Sequence, residues 1–565
     1  MDKRGKIGAM ADSLRRYAAS GKLKGLVKVR GLASVHDFIL LLLILCIVLP
    51  LCMVVSKPSL SDYASAFTSD VFRSAMANTA VLCVLSASLS AAIGYFYAYA
   101  IAYSRVPFKR FFAAMPLVHL ILPPSVSGLS FILLFGRNGF VTKTLLHLDV
   151  SLYGLPGTVV AQVLCFFPIA YVICLQRLRS INHSLENAAC AMSDGYARVF
   201  LLTLRLSHSA ILQSFLFVCV LSASDFGNPL ILAGRFRVAA IEIYSALTGW
   251  IDVGKSACMG TVLLIPSLLL FILQSRLEAK GERRTSQIGK GSQSDLIAAP
   301  PAGLNHCASG FCMFMASCIA AQVVSVSLGA FQNIWGVDWS LTLKHMASIA
   351  NAGLELRNSI VFSFFGAVAA VVVASVCAYS VFRVRHALSK VMHAVISLPA
   401  AVPGTLFGMA FLLLSANAGI RSSRLMISVA MFVGFVPFAY RIFSSRLLQI
   451  SESLDDASSS CGASWRRTFI RVFIPLSGES VFSSLFYCFA RGIGTVSAVI
   501  FLVSFDTPLA SVRILSLTEQ GFWGDAAALS LFLMVVIFLL LLLAYAAIRL
   551  FGRKDAGFEK GFIFL

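Results

Sequence analysis

Long apolar segments alternate with short polar segments along nearly the whole chain. Each apolar segment is about 20 residues long and almost free of charge, which is the length that an α-helix needs to cross a bilayer core. Lipid offers no hydrogen-bond partners to the backbone, so such segments form helices. The period-two alternation of a membrane β-barrel is absent from the sequence. The pattern therefore predicts an all-α membrane protein.

We predict twelve transmembrane helices, six in each half of the chain. In the first half they cover 37–55, 77–103, 111–135, 153–175, 209–233 and 256–275, and in the second half 309–331, 358–382, 388–414, 425–442, 479–504 and 526–549. The predicted domains are a basic N-terminal segment, a first six-helix half, a polar linker, a second six-helix half and a tail, with bounds 1–36, 37–276, 277–308, 309–551 and 552–565.

Charge sets the predicted orientation of these helices. The net charge is +21, and nine Lys or Arg residues lie within residues 1–35. The other basic residues are concentrated in the even-numbered gaps between helices, so the positive-inside rule predicts that both termini are cytoplasmic. Anionic lipid, rather than nucleic acid, is the expected partner of this charge. The fourteen cysteines contain no CxxC spacing, and we expect buried free thiols and no metal site.

The two halves contain an internal repeat. Phe166-Phe167-Pro168-Ile169-Ala170-Tyr171 in the first half recurs as Phe435-Val436-Pro437-Phe438-Ala439-Tyr440 in the second half, and Leu122-Pro123 recurs as Leu398-Pro399. Six helices per half is an even number, so the halves are predicted to be parallel repeats with a path between them. Pro123, Asp225, Pro399 and Arg491 are the candidate path residues. Helix kinks, a helix cap and a structural ion pair are the alternative roles.

Each half also contains one long polar gap, at residues 176–208 (the first loop) and 443–478 (the second loop). In the second loop, small residues and carboxylates predict a short helix, Gly462 permits a sharp turn, and a second short helix follows. Such a compact element suits a cleft on a partner protein. A plain solvated connection is the alternative. The residues that we single out are Leu454, Asp455, Asp456, Ala457, Ser458, Gly462, Trp465, Phe469 and Pro475.

The second loop resembles the "EAA" loop of type I ABC importer permeases. Asp456-Ala457-Ser458 stands in the place of E-A-A, Gly462 in that of the glycine, and Ile474-Pro475 in that of L-P. In that family these loops bind the ATPase subunits and transmit ATP-driven motion. The first loop departs from the pattern, with Gly195 two residues late. Its corresponding residues are Leu185, Glu186, Asn187, Ala188, Ala189, Gly195 and Phe200.

The resemblance covers nearly the whole chain. In the segments Ser224-Asp225-Phe226-Gly227-Asn228-Pro229-Leu230 and Thr495-Val496-Ser497-Ala498-Val499-Ile500-Phe501-Leu502 the chain most resembles the fused double permeases of the ferric-iron importer group. It implies a permease subunit in the bacterial inner membrane that moves iron(III), two copies of a separate ABC ATPase that binds the ATP, and an extracytoplasmic substrate-binding protein. The chain has no P-loop sequence and no catalytic motif, so it is predicted to be a transport subunit and not an enzyme.

Several alternatives remain open at this point. Thiamine, phosphonate and polyamine importers have related permeases. A twelve-helix secondary transporter is the rival of another class, but its signature of Gly, Asp and Arg between the second and third helices is not matched by residues 104–110, which lack Gly and Asp. A membrane-embedded enzyme is the third possibility.

Overall fold

The computed structural model describes residues 34–147, 152–181, 185, 187, 189, 196–249, 252–287, 301–383, 388–420 and 422–551. In the first half its helices are α1 Ser34–Val55, α2 Leu60–Thr68, α3 Asp70–Tyr103, α4 Lys109–Ile121, α5 Pro124–Phe135, α6 Leu155–Arg179, α7 Tyr196–Ser224, α8 Gly227–Leu232, α9 Ala239–Thr248 and α10 Val253–Gln287. In the second half they are α11 Ala302–Gly329, α12 Ala347–Asn351, α13 Gly353–Arg383, α14 Ser389–Ser397, α15 Gly404–Asn417, α16 Ser423–Leu447, α17 Ser453–Ser460, α18 Trp465–Leu476, α19 Gly478–Ile493, α20 Ala510–Glu519 and α21 Trp523–Phe551.

The helical membrane class is confirmed. Within the described residues, nine helices are long and apolar enough to cross a membrane, or eleven if each of two bent helix pairs counts as one span. The predicted span 111–135 is not among them, because it is divided into α4 and α5 at Pro123. Leu122 and Pro123 each precede a proline and have extended backbone, with ψ of 136° and 138°, because a proline disfavours the helical conformation of the residue before it. The total of twelve spans stays a prediction.

Two predicted helix boundaries were wrong. The predicted span 209–233 is divided between two helices. The first of them, α7, begins earlier than predicted, at Tyr196, and ends at Ser224, just before Asp225. The predicted span 479–504 ends early, since α19 stops at Ile493 and turns follow as far as Leu502. Gly494 is the residue after α19, and glycine is a poor helix former. In both cases the chain leaves the helix near the boundary between the halves.

The first helix of each half packs on the opposite half. α1 lies against α15, and α11 lies against α5. The largest core cluster accordingly contains Leu43 and Ile47 of α1 together with residues of the second half. The halves are therefore interlocked and are not two separate bundles.

Matched hydrogen bonds occur in the two halves. The side-chain amide of Asn78 on α3 donates to the carbonyl of Arg237 at 3.0 Å, and that of Asn358 on α13 donates to the carbonyl of Pro508 at 3.2 Å. At the next position, the Thr79 and Ser359 hydroxyls accept from the backbone N–H groups of Ala239 and Ala510, each at 2.9 Å. These bonds place α3 and α13 in matching surroundings, as the predicted repeat requires, and the repeat itself stays a prediction.

A hairpin that the apolar pattern did not predict separates α11 from α13. Its strands, β1 Gln332–Ile334 and β2 Asp338–Leu341, are antiparallel. The Trp335 indole N–H donates to the Leu133 carbonyl on α5 at 2.8 Å, which ties the hairpin to the first half. The backbone N–H of Ser340 donates to Asp338 and lowers the pKa of that carboxyl.

Candidate functional site

The second loop folds as two short helices around a left-handed glycine. α17 ends at Ser460, Gly462 has φ +78°, and α18 begins at Trp465. Glycine adopts this backbone conformation without strain, whereas a side chain there is costly. The Ser458 and Thr468 hydroxyls lie 2.7 Å apart and link the two helices. The loop is therefore a compact unit with a fixed shape.

The Asp455 carboxylate attaches this unit to α13. The Tyr379 hydroxyl donates to Asp455 Oδ1 at 2.6 Å, and Arg383 Nε lies 2.9 Å from Asp455 Oδ2. The Arg383 side chain is only 8% exposed, so this carboxylate, rather than water, is the main partner of the guanidinium. A second Arg383 nitrogen, Nη2, donates to the Ile450 carbonyl at 2.8 Å. One guanidinium thus contacts both the segment before α17 and the first turn of α17.

Aromatic packing attaches α18 to the same place. The Phe469 and Phe473 rings each lie 5.4 Å from the Tyr379 ring, centroid to centroid, and 5.4 Å from each other. Such aromatic clusters add specific geometry to the burial of apolar area. Tyr379 consequently contacts both helices of the second loop, α17 through its hydroxyl and α18 through its ring.

The opposite face of the loop is open. Asp456 and Ala457 are exposed, and so are Leu454 (42%) and Ile470 (63%). Trp465 is partly buried, with the Arg466 guanidinium 5.5 Å from its ring centroid. The two neighbouring carboxylates therefore face different surroundings, because Asp455 points to α13 and Asp456 is exposed.

The second loop ends in a sharp bend after Pro475. The proline lies in the last turn of α18, the axis then bends by 76°, and α19 begins at Gly478. Arg446 at the end of α16 donates to the Leu476 carbonyl at this bend, with Nε and Nη2 at 3.2 and 2.9 Å. The bend breaks the helical hydrogen-bond ladder, so a side-chain donor at the freed carbonyl stabilises it.

Only part of the first loop is described. Glu186, Ala188 and Gly195 lie outside the described residues, whereas Leu185, Asn187 and Ala189 are helical and Leu185 is 49% exposed. Phe200 on α7 packs edge-on against Tyr99 of α3 at 5.2 Å, and it also contacts Tyr95 and Phe96. In the second loop, Phe469 has the corresponding aromatic contact with Tyr379.

Asp225, a candidate path residue, lies between α7 and α8 at the centre of a polar cluster. Its Oδ2 accepts from Gln162 Nε2 and from Asn228 Nδ2, each at 3.0 Å, and the Ser222 hydroxyl donates to Gln162 Oε1 at 2.6 Å. The cluster joins α6, α7 and α8. Hydrogen bonds of this kind offset the cost of a carboxylate at membrane depth.

The other candidate path residues occupy breaks or helix ends. Pro123 and Pro399 are both buried, and Pro399 lies in the short turn between α14 and α15, where the helix axis changes by 106°. Arg491 lies in the last turn of α19. Asp225 and Arg491, both within the described residues, form no ion pair with each other. The structure therefore brings the two prolines into matching positions and does not pair the two charges.

Tyr379 and Arg383 are site residues that sequence reasoning missed. Both lie near the end of α13, and Arg383 is one of the basic residues of the even-numbered gaps, which the charge pattern assigns only to the orientation of the helices. Their spacing of four residues places them on one helix face. The available signal was an Asp in the second loop that needed a cation, but the sequence alone left several arginines as candidates.

Interlocked halves of membrane-spanning helices and a compact polar loop in the second half are features expected of a transport permease. The family model of binding-protein-dependent transport system inner membrane components matches residues 356–554. The chain belongs to this family, and is a multi-pass protein of the inner membrane.

The similar proteins indicate which kinds of permease this chain resembles. A ferric transport system permease protein, FbpB, of Actinobacillus pleuropneumoniae is 32% identical over 451 residues, which are 77% of this chain and 64% of that protein. A putative ferric transport system permease protein, FbpB 1, of Haemophilus influenzae is 33% identical over 414 residues, 70% of this chain and 65% of that protein. A putative ferric transport system permease-like protein, AfuB, of Escherichia coli is 44% identical over 88 residues, 16% of this chain and 73% of that protein. The chain thus spans slightly less than two thirds of the length of the first two relatives.

Proposed function

We propose that this chain is the permease subunit of a bacterial ABC importer that carries ferric iron into the cytoplasm. Both termini lie in the cytoplasm. One copy of a separate ATPase binds the first loop and a second copy binds the second loop. An extracytoplasmic substrate-binding protein delivers the ion to the opposite side of the membrane.

The observation that supports this proposal most directly is the structure of the second loop. Its inner face is fixed to α13 through Asp455, and its outer face presents Asp456, Ala457 and Leu454 to solvent. A rigid helix with small and apolar exposed residues fits a groove on a partner protein. A plain connection between membrane helices has no need of a buried ion pair or of a left-handed glycine.

Energy has to come from the partner in this proposal. The sequence contains no P-loop, so ATP is bound and hydrolysed on the ATPase. Nucleotide binding drives a conformational change of the permease only if the ATPase contacts differ between the two permease states. The two loops supply those contacts.

The cargo is inferred from the relatives. Two relatives that cover 77% and 70% of this chain are named for ferric transport, which favours iron over the alternative, thiamine. Membership of the family favours an importer over a secondary transporter.

The test is uptake by proteoliposomes that contain this chain, its ATPase and its binding protein. We expect uptake of radioactive ferric iron only when ATP, the ATPase and the loaded binding protein are all present. Equal uptake without the ATPase would contradict the importer and support a secondary transporter. Uptake of radioactive thiamine in place of iron would support the importer but contradict ferric iron as its cargo.

A further inference from the structure

α13 is a continuous helix that contacts the second loop at one end and an irregular segment at the other. It has 31 residues and is therefore about 46 Å long. Tyr379 and Arg383 lie at one end, and Asn358 and Ser359 lie near the other. A helix of this length spans the hydrocarbon core, so the two contact sites lie on opposite sides of the membrane.

Three groups of the second loop converge on Arg383. Its Nε lies 2.9 Å from the Asp455 carboxylate, its Nη2 donates to the Ile450 carbonyl at 2.8 Å, and its Nη1 lies 3.5 Å from the Glu452 carboxylate. The hydrogen bond from Nη2 to the Ile450 carbonyl orients the guanidinium, and the Asp455 contact is a close charge pairing. Because Arg383 is 8% exposed whereas Glu452 is 75% exposed, the Asp455 contact is the main charge pairing.

Tyr379 fixes the loop at a second point. It lies one helical turn before Arg383, and its hydroxyl donates to the other oxygen of the same carboxylate. Its ring meanwhile packs on Phe469 of α18. Contacts at two points on one helix face prevent the loop from rotating about a single bond.

The far end of α13 is bonded to the segment before α20. The Asn358 amide donates to the Pro508 carbonyl at 3.2 Å, and the Ala510 backbone N–H donates to the Ser359 hydroxyl at 2.9 Å. Helix α20 then contributes Leu515 to a cluster with Phe226 and Ala240 of the first half. The segment Pro508–Ala510 is thus connected directly to the contact between the halves.

We propose that Tyr379 and Arg383 are positioning residues that make the second loop and α13 move as one body. Displacement of the loop by the ATPase then reaches the segment Pro508–Ala510 and the contact between the halves. This inference rests on the proposed function, because it needs an ATPase at the loop.

The test is the number of ATP molecules hydrolysed per ferric ion taken up by proteoliposomes of the full complex. Arg383→Gln is expected to raise this ratio at least about fivefold, which is the low end of coupling free energies between sites. Tyr379→Phe removes only the hydroxyl and is expected to raise it about twofold. Arg357→Gln is the matched control, since it removes an exposed guanidinium from the other end of α13 and should leave the ratio unchanged.

A merely structural role would lower uptake and hydrolysis together, so an unchanged ratio in Arg383→Gln would overturn the inference. If Arg383→Gln does not insert into the membrane, Tyr379→Phe decides, because it retains the ring and its packing, and an unchanged ratio in that variant overturns the inference equally. The proposed function fails separately, if the unaltered complex shows no ATP-dependent uptake. Arg383→Gln with Asp455→Asn should be no worse than Arg383→Gln alone, as expected for residues that act as a pair.

Discussion

Each of the two loops has an arginine that donates to a backbone carbonyl at the end of the loop, and we call this pair of contacts the common frame. In the first loop, Arg177 at the end of α6 donates through Nε to the Leu206 carbonyl at 3.1 Å, and in the second loop Arg446 donates to the Leu476 carbonyl at 3.2 Å. The two arginines follow the two copies of the repeat motif at the same distance along the chain. Each loop therefore has an arginine contact with a backbone carbonyl where it returns to the membrane, although that carbonyl lies within the continuous α7 in the first loop and at the bend after α18 in the second loop.

The loops differ in how α3 and α13 hold them. Tyr99 and Tyr379 correspond in the register that also pairs Asn78 with Asn358, but at the next turn Tyr103 stands where the second half has Arg383. In the first half, Tyr99 stacks on Tyr103 at 4.9 Å and contacts Phe200, whereas in the second half the guanidinium pairs with Asp455. Altering one ring removes only part of the aromatic packing, whereas removing one partner of a buried ion pair leaves the other charge buried without a partner. Single substitutions should consequently affect the second loop more strongly.

The largest expected effect is that of Asp455→Ala. It leaves the buried Arg383 guanidinium without its main partner, and we expect about 3 kcal/mol of destabilisation, the low end for a broken buried pair because Asp455 is 20% exposed. Asp456→Ala is the matched control and should change stability by less than about 0.5 kcal/mol. Thermal unfolding of the purified variants in detergent measures the difference. Equal losses would show that the ion pair does not distinguish the two carboxylates.

Gly462→Val is expected to have the next largest effect. A β-branched residue at φ +78° costs about 1–3 kcal/mol of backbone strain, and ATP-driven uptake should fall about tenfold while membrane insertion is retained. Gly419→Val is the control, because Gly419 also has a positive φ (+64°) with open space around a β-carbon but lies between α15 and α16. Normal ATP-driven uptake in Gly462→Val would contradict the role of the second loop.

Much of this site can be predicted from the sequence, but the contacts that attach the second loop to α13 cannot. Periodicity and charge predict the helical class, and the ordered repeat locates both loops, including the turn at Gly462. The contacts of Asp455 with Tyr379 and Arg383 join residues that are far apart in the chain and depend on how α13 packs, which no local pattern encodes. The boundaries at Ser224 and Ile493 failed for a related reason, since apolar residues continue beyond them although the backbone leaves the helix.

Phe200→Leu and Phe469→Leu test the aromatic contacts that both loops have. Each variant loses edge-on contacts with a tyrosine of α3 or α13, and we expect a loss of about 1 kcal/mol in either case. Thermal unfolding of the two variants should give similar shifts. A much larger shift for Phe469→Leu would mean that the second loop depends on its aromatic cluster more than on its ion pair.

The smallest expected effect concerns the common frame. Arg177→Gln removes one hydrogen bond to a backbone carbonyl and Arg446→Gln removes two that share one carbonyl, each in a partly exposed place and at an expected cost of about 0.5 kcal/mol. The two variants should match each other in thermal unfolding. A clear difference between them would show that the loop ends are not equivalent.

Crosslinking to the ATPase tests the central claim most directly. In a cysteine-free form of the chain, Ala457→Cys puts one thiol on the exposed face of α17, and Leu343→Cys puts one on the exposed segment after the hairpin, 71% exposed and on the predicted outer side. A short bifunctional maleimide should join Ala457→Cys to the ATPase in the assembled complex, and Leu343→Cys should stay unlinked. A complex in which the ATPase is captured at residue 343, or is not captured at residue 457, contradicts the account.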